Sequence, residues 1–225
     1  MQNEKMLSWI NFLAAVIIAV FVISASVTFT LFDRQAYARM QERIDLPGIT
    51  GFTEEEILAN YNALIDYNSV FFTGPLSFPT LEMSEYGRIH FEEVKAIFSA
   101  IQIALIAAAA LTALLSIMLL RKKRFKFLLF GGVMSLLIPA AVVAVMAIAG
   151  WDRFFVIFHQ IFFNNEFWVF DYRTDPIILL LPDSWFLNCL IRIIIGIVAA
   201  AALLIIIPQT LEKILNFIKK KSIIH

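Results

Sequence analysis

The chain has 225 residues, of which 60% are hydrophobic and 16% charged, and its formal net charge is zero. A soluble domain carries about a quarter charged residues, so this composition excludes an ordinary globular protein, and the neutral balance gives no pull on nucleic acid. Mean hydropathy is +0.81, and the apolar residues fall in runs rather than at random.

About 20 consecutive apolar residues are needed to cross a bilayer as helix. The first such run covers residues 6–32. It exceeds the apolar part of a cleaved signal, so it reads as a retained anchor. Residues 33–93 then form a long, irregular segment. Within it Thr53 and Glu56 make a T-x-x-E capping box, and Ile57, Tyr61, Leu64 and Ile65 follow at helical spacing. This amphipathic helix is expected on the membrane surface or against the bundle. Gly74 and Pro75 break the chain, and Ser84 is an N-cap candidate for a helix that runs directly into the second span, 96–120. His90 and Glu93 then share a face near the membrane boundary, because positions three apart are helix neighbours.

Arg121, Lys122, Lys123, Arg124 and Lys126 crowd the link to the third span, 127–150. A second irregular segment, 151–184, is strongly aromatic. Asp152 is expected to cap a short helix to about Phe163, with Asn164 and Asn165 ending it. Asp175-Pro176 opens another short piece that Pro182 closes. The fourth span covers 185–207 and carries Arg192 and the single cysteine, Cys189, near its start. With no second cysteine, an internal disulfide is impossible, and Cys189 reads as a buried, inert thiol.

Lys5, the 121–126 cluster, and Lys213, Lys219, Lys220 and Lys221 all fall on one side of this topology. The positive-inside rule makes that side cytoplasmic. Both termini are therefore expected inside, and any chemistry outside. The fold class read from the sequence is an all-α membrane protein, one membrane domain over residues 1–225. Four transmembrane helices carry an outer cap of short amphipathic, interfacial or re-entrant helices.

Three histidines occur. His225 ends the chain beside the basic tail and reads as solvated. His90 and His159 come from different outer segments at similar depth. Either they are unrelated interfacial residues, or they face one cavity, where an imidazole can take and return a proton near neutral pH. No nucleophile elbow, P-loop or dinucleotide fingerprint is present. His90, Glu93 and His159 match a zinc-binding combination, but H-x-x-E is a common chance pattern and H-E-x-x-H is absent, so no metal is expected.

Two pieces of sequence resemble a known family, the bacterial lipoprotein intramolecular transacylases. One is Glu85, His90, Glu93, Val94 and Lys95; the family favours Asp where this chain has Glu93. The other is Phe158-His159, Phe162-Phe163, Asn165, Trp168, Asp171, Asp175 and Leu181-Pro182, ending at Phe186. The four-span layout agrees, so the resemblance covers nearly the whole chain. It implies a substrate lipoprotein whose N-terminal cysteine carries diacylglycerol, and transfer of the sn-2 acyl chain to that cysteine's α-amine. The product is a lyso-form lipoprotein. It further implies His159 as the base and His90 as the oxyanion stabiliser or second acid–base group, with the roles open to exchange.

Such chemistry needs neither cofactor nor covalent nucleophile, since ester and amine lie in one molecule and positioning does much of the work. Glu93, Glu85, Asn165, Trp168, Asp171, Tyr172 and Arg173 are candidates to bind or orient the substrate, and membrane lipid is the expected surrounding partner. Two alternatives stand beside this reading: a membrane metallohydrolase or lipase, and a non-enzymatic scaffold in which both histidines are dispensable. A transporter fits poorly, because the spans lack mid-membrane charges.

Overall fold

The structure, a computed structural model, describes residues 2–121 and 126–224. Lys122, Lys123 and Arg124 of the basic link, and His225, lie outside the described residues. Among the described residues all regular structure is helical. In chain order the elements are α1 (Gln2–Phe32), α2 (Arg34–Arg43), α3 (Leu46–Thr50), α4 (Glu54–Tyr67), α5 (Glu85–Arg121), α6 (Lys126–Ser135), α7 (Leu137–Ala149), α8 (Trp151–Phe162), a 3-10 turn (Pro176–Leu180) and α9 (Asp183–Ile224). Among the described residues, four stretches are long and apolar enough to cross a membrane: Ser8–Phe32, Glu85–Met118, Lys126–Ala149 and Asp183–Thr210.

The third expected span is not one continuous helix. It breaks at Leu136, between α6 and α7. Pro139 has no N–H to donate to the carbonyl four residues back, that of Ser135, and α6 ends there. The Ser135 hydroxyl turns back to donate to the Gly132 carbonyl at 2.8 Å.

The chain falls into two compact units. The first comprises Met1–Ser26, Ala104–Val143 and Ile193–His225. Its buried cluster is Ala14, Ile18, Val22, Phe127 and Ile197. Small residues set the helix spacing here. A Cβ on Gly131 would lie 2.6 Å from Ile18 Cγ2, and one on Gly132 3.0 Å from the Ala201 carbonyl oxygen.

The second unit comprises Val27–Ile103 and Ala144–Arg192. Its core is aromatic: Tyr37 and Tyr61 stack with centroids 3.5 Å apart, Trp185 packs edge-on against both, and Tyr37 Oη donates to the Leu180 carbonyl at 2.7 Å. The expected capping box is present, with Glu56 N donating to Thr53 Oγ1 at 3.2 Å and Thr53 N to Glu56 Oε2 at 2.8 Å. Ile57, Tyr61, Leu64 and Ile65 are buried in this core, so α4 packs against protein rather than lying on the membrane surface. Helices α2 and α3 escaped the sequence pattern. Each begins at an aspartate whose side chain accepts a backbone N–H: Asp33 from Ala36 and Asp45 from Gly48. Arg192 of α9 pairs with Asp33.

Helix α8 starts two residues earlier than expected, and Asp152 is not its cap. Gly150 occupies that position at φ 80°, and no side chain caps the helix. A left-handed backbone suits glycine and lets the chain turn sharply out of α7, leaving Asp152 in the first turn, where its charge favours the helix dipole.

The start of α5 matters most for the site. Ser84 caps it as expected, accepting from Gly87 N at 3.0 Å. The Ser84 N–H itself donates to Asp175 Oδ1 at 2.8 Å, and Asp175 is buried. Thr174 Oγ1 donates to the other carboxylate oxygen at 2.9 Å. A Cβ on Gly87 would sit 2.1 Å from Asp175 Oδ1, so only glycine admits this approach. Losing the acceptor for a partly buried N–H costs about 1–3 kcal/mol. Asp175→Ala should therefore lower the thermal unfolding midpoint in detergent, and Asp175→Asn, which keeps an oxygen in place, should recover most of the loss. Gly87→Ala should lower the midpoint as well.

Candidate active site

His90 lies on α5, two positions past Arg88, on the flank that meets residues 163–175. Its surface is 6% exposed, and that of His159, in the last turn of α8, is 9% exposed. The two imidazole centroids are 6.1 Å apart, although 69 positions separate them in the chain. Aromatic rings wall the pair. Phe163 and Phe170 meet His90 edge-on at 4.8 and 5.4 Å, while Phe155 lies 4.2 Å from His159 and Trp168 stacks on it at 4.5 Å.

One hydrogen bond defines the chemistry of His159. Its Nδ1 lies 2.7 Å from the Phe155 carbonyl oxygen. A carbonyl only accepts, so Nδ1 carries the proton and Nε2 is left with its lone pair. Burial lowers the His159 pKa, and the bond to Phe155 opposes that shift without reversing it. Burial thus favours the neutral ring, with Nε2 able to accept a proton.

Polar atoms on α5 complete the site. Glu93, one turn beyond His90, accepts from Asn165 Nδ2 through Oε1 at 2.9 Å. The Asn165 side-chain oxygen takes the Phe167 N–H at 3.0 Å, and its backbone carbonyl takes Trp168 Nε1 at 3.2 Å. Glu93, Asn165 and Trp168 thus form a chain of contacts ending on the face of His159. Two buried polar atoms, Glu93 Oε2 and His90 Nδ1, have no protein partner. Buried polar groups are normally paired, so both are available to a ligand.

Other sequence candidates sit elsewhere. Glu85 pairs with Arg88 at 2.5 Å, and Asp171 with Arg173 at 2.6 Å, both at the surface. Tyr172 is 60% exposed. Glu85 and Asp171 do line a groove of about 350 Å3 together with Tyr86, Phe167 and Phe170. Phe170 is shared between that groove and the wall of His90. Sequence reasoning missed Phe170, and placed Asp175 in the resembling motif and at the start of a short piece without giving it a partner; neither contact has a local signature. Among the described residues no three His, Cys, Asp or Glu side chains gather as a metal site.

The family model described as lipoprotein intramolecular transacylase Lit matches residues 12–186. Solved structures align over nearly the whole chain. An in meso structure of the membrane integral lipoprotein intramolecular transacylase Lit from Bacillus cereus is 34% identical with a TM-score of 0.86, over 98% of this chain and 99% of that one. A variant of the same protein with one histidine changed to alanine is 32% identical at a TM-score of 0.87, over 96% of this chain and 97% of that one. A histidine-to-arginine variant is likewise 32% identical, at a TM-score of 0.85, over 99% of this chain and 96% of that one. No curated protein matches the sequence.

The tautomer and the lowered pKa are directly measurable. Histidine 15N NMR of the detergent-solubilised protein, assigned by loss of signal in His159→Gln, should show His159 neutral at pH 7 with the proton on Nδ1. Its titration midpoint should fall below the ordinary value of about 6.5. A midpoint above that value would mean the ring is a cation in the folded protein.

Proposed function

Since the chain belongs to the lipoprotein intramolecular transacylase family, we propose that it moves the sn-2 acyl chain of a diacylglyceryl-cysteine lipoprotein onto that cysteine's α-amine, with His159 as the base. The protein is an integral membrane acyltransferase that acts on lipoproteins. The observation that carries the residue assignment is the His159 Nδ1 contact with the Phe155 carbonyl beside a second buried histidine.

An α-amine of pKa about 8 is mostly ammonium at pH 7. One proton must leave before the nitrogen can attack. Glu93 Oε2, buried and without a protein partner, binds the ammonium by accepting a hydrogen bond, and that first proton is released to water at the membrane boundary. The free amine then attacks the sn-2 ester carbonyl. His159 Nε2 takes a proton from the attacking nitrogen and returns it to the sn-2 oxygen as the C–O bond breaks and the C–N bond forms. His90 donates its single N–H to the oxyanion of the tetrahedral intermediate, an interaction worth most in a water-poor site. Phe155, Phe163, Phe170 and Trp168 keep water out, which also protects the ester from hydrolysis.

Asn165 and Trp168 orient Glu93 and His159 respectively. Glu85, Asp171, Tyr172 and Arg173 are assigned to the peptide side of the substrate, because Glu85 and Asp171 border the groove that Phe170 separates from His90. The site is placed on the extracytoplasmic face, with both termini cytoplasmic. Support for that comes from the basic residues at 121–126 and in the C-terminal tail, together with the diacylated substrate itself, which must present its ester at the membrane boundary.

His159→Ala and His90→Ala should each reduce conversion to the lyso form by about 10² to 10⁴ while the protein remains in the membrane. Mass spectrometry of the lipoprotein's N-terminal peptide checks this. Transfer conserves mass and leaves one alkali-resistant amide-linked chain. An alkali-resistant chain made at wild-type rate by both variants would show the histidines to be structural, and release of free fatty acid by the wild type would make the enzyme a lipase. Glu93→Gln keeps the shape and the Asn165 contact but removes the charge. It should raise KM for the lipoprotein more than it lowers kcat, as expected for a group that binds the ammonium.

A further inference from the structure

The connection between α4 and α5 is built for a place water does not reach. Helix α5 carries Lys95 and then no charged residue until Arg121. At 1.5 Å per residue that stretch is about 37 Å long, against a hydrocarbon core of about 30 Å. Centring the core on the midpoint, Ala108, puts Gln102 about 6 Å inside its outer edge. Gln102 is buried, and its side chain serves the backbone of the turn after α4. Its Nε2 donates to the Asn68 carbonyl at 2.8 Å, and its Oε1 accepts from Val70 N at 3.1 Å.

The shoulders of the turn rise to the level of Lys95. The Lys95 ammonium donates to the Phe72 carbonyl at 3.0 Å and lies over the rings of Tyr67 and Phe72, 4.2 and 4.9 Å from their centroids. A lysine placed so, with its stem along apolar surface, is typical of the boundary. The low point of the turn is therefore Asn68–Phe71, beside Gln102.

Every backbone N–H from Asn68 to Phe72 has a protein acceptor. Asn68 N donates to the Leu64 carbonyl, Ser69 N to that of Asp66, Phe71 N to Ser69 Oγ and Phe72 N to the Ser69 carbonyl, at 3.0–3.3 Å, and Val70 N goes to Gln102. A loop in water has no need of this, whereas non-helical backbone at hydrocarbon depth does. Phe71, at the same level, is 81% exposed and touches no core. In water that is a large apolar surface left wet, whereas in lipid it is covered.

We propose that residues 68–72 form a re-entrant tip that dips into the acyl-chain region of the bilayer, with Phe71 in contact with lipid and Gln102 pairing the Asn68 carbonyl and the Val70 N–H. The tip lies on the Lys95–Gln102 face of α5, a different face from the one that bears His90 and Glu93. It anchors the α4–α5 connection independently of the reaction.

Site-directed spin labelling tests this in vesicles of phosphatidylcholine and phosphatidylglycerol. Cys189 is replaced by alanine, and a nitroxide is attached at Phe71→Cys. Ser77→Cys, exposed in the same connection, is the water reference, and Leu111→Cys the lipid reference. The label at 71 should collide with oxygen and be shielded from a water-soluble nickel chelate, as at 111. Nickel access equal to that at 77 overturns the proposal, and shielding from both agents shows a protein contact instead. Adding Gln102→Leu, which strips the turn of its partner, should move the label at 71 toward nickel access; unchanged depth would show that Gln102 does not hold the tip. Should the labelled variants not fold, quenching of Phe71→Trp by brominated lipids, read as a difference from wild type, reports the same depth.

Discussion

The Asp175 carboxylate, received at the start of α5, is the contact on which the site depends. A helix start leaves backbone N–H groups without partners, and here the one at Ser84 is taken by a side chain 91 positions away. Gly87 is the complement of that bond, since any side chain there would displace the carboxylate. His90 lies just under one turn beyond Gly87, so the register of α5 against residues 163–175 decides where its ring points. Glu93 and Asn165 make a second tie between the same two elements. Two ties at different heights leave the helix free neither to rotate nor to slide.

Burial does the remaining electrostatic work. Both imidazoles are enclosed by aromatic rings, and desolvation disfavours a charged His159. An imidazole that stays neutral keeps a lone pair free, and the Phe155 carbonyl determines which nitrogen holds it. The same enclosure strengthens any hydrogen bond made to a developing oxyanion, because little water competes for it. An intramolecular transfer asks for little more: the two reacting groups come in one molecule, and a rigid, dry site supplies the geometry.

Satisfaction of the backbone is a second constraint, visible wherever the chain departs from regular helix. Pro139 removes one donor, and α6 stops where the acceptor would have been. Gln102 does for the turn at Asn68–Phe72 what water does for an ordinary loop. At Asp33, Asp45 and Thr53, side chains take up the first free N–H groups of α2, α3 and α4. These devices are short polar side chains at element ends, and they let an apolar chain turn without stranding its amides.

The sequence by itself determined whatever is local. Four apolar runs predict four spans because span length depends on composition alone, and Thr53 with Glu56 predicts the start of α4 because a capping box is three residues wide. Resemblance at His90, His159 and their neighbours supplied the family. Local reading failed where a neighbour mattered: Asp152 has the right chemistry for a cap, but the left-handed backbone at Gly150 places it inside the helix. What only the tertiary structure decided is how distant segments meet. That His90 and His159 stand 6.1 Å apart, that Asp175 holds Ser84, and that Phe170 forms a wall of the site are contacts between residues about 70 to 90 positions apart, and no pattern in sequence encodes such a distance. The tautomer of His159 is local by contrast, yet it too needed the structure: it follows from the Phe155 carbonyl four residues back in α8 and from the side-chain rotamer that brings Nδ1 to it, and the imidazole alone can carry its proton on either nitrogen.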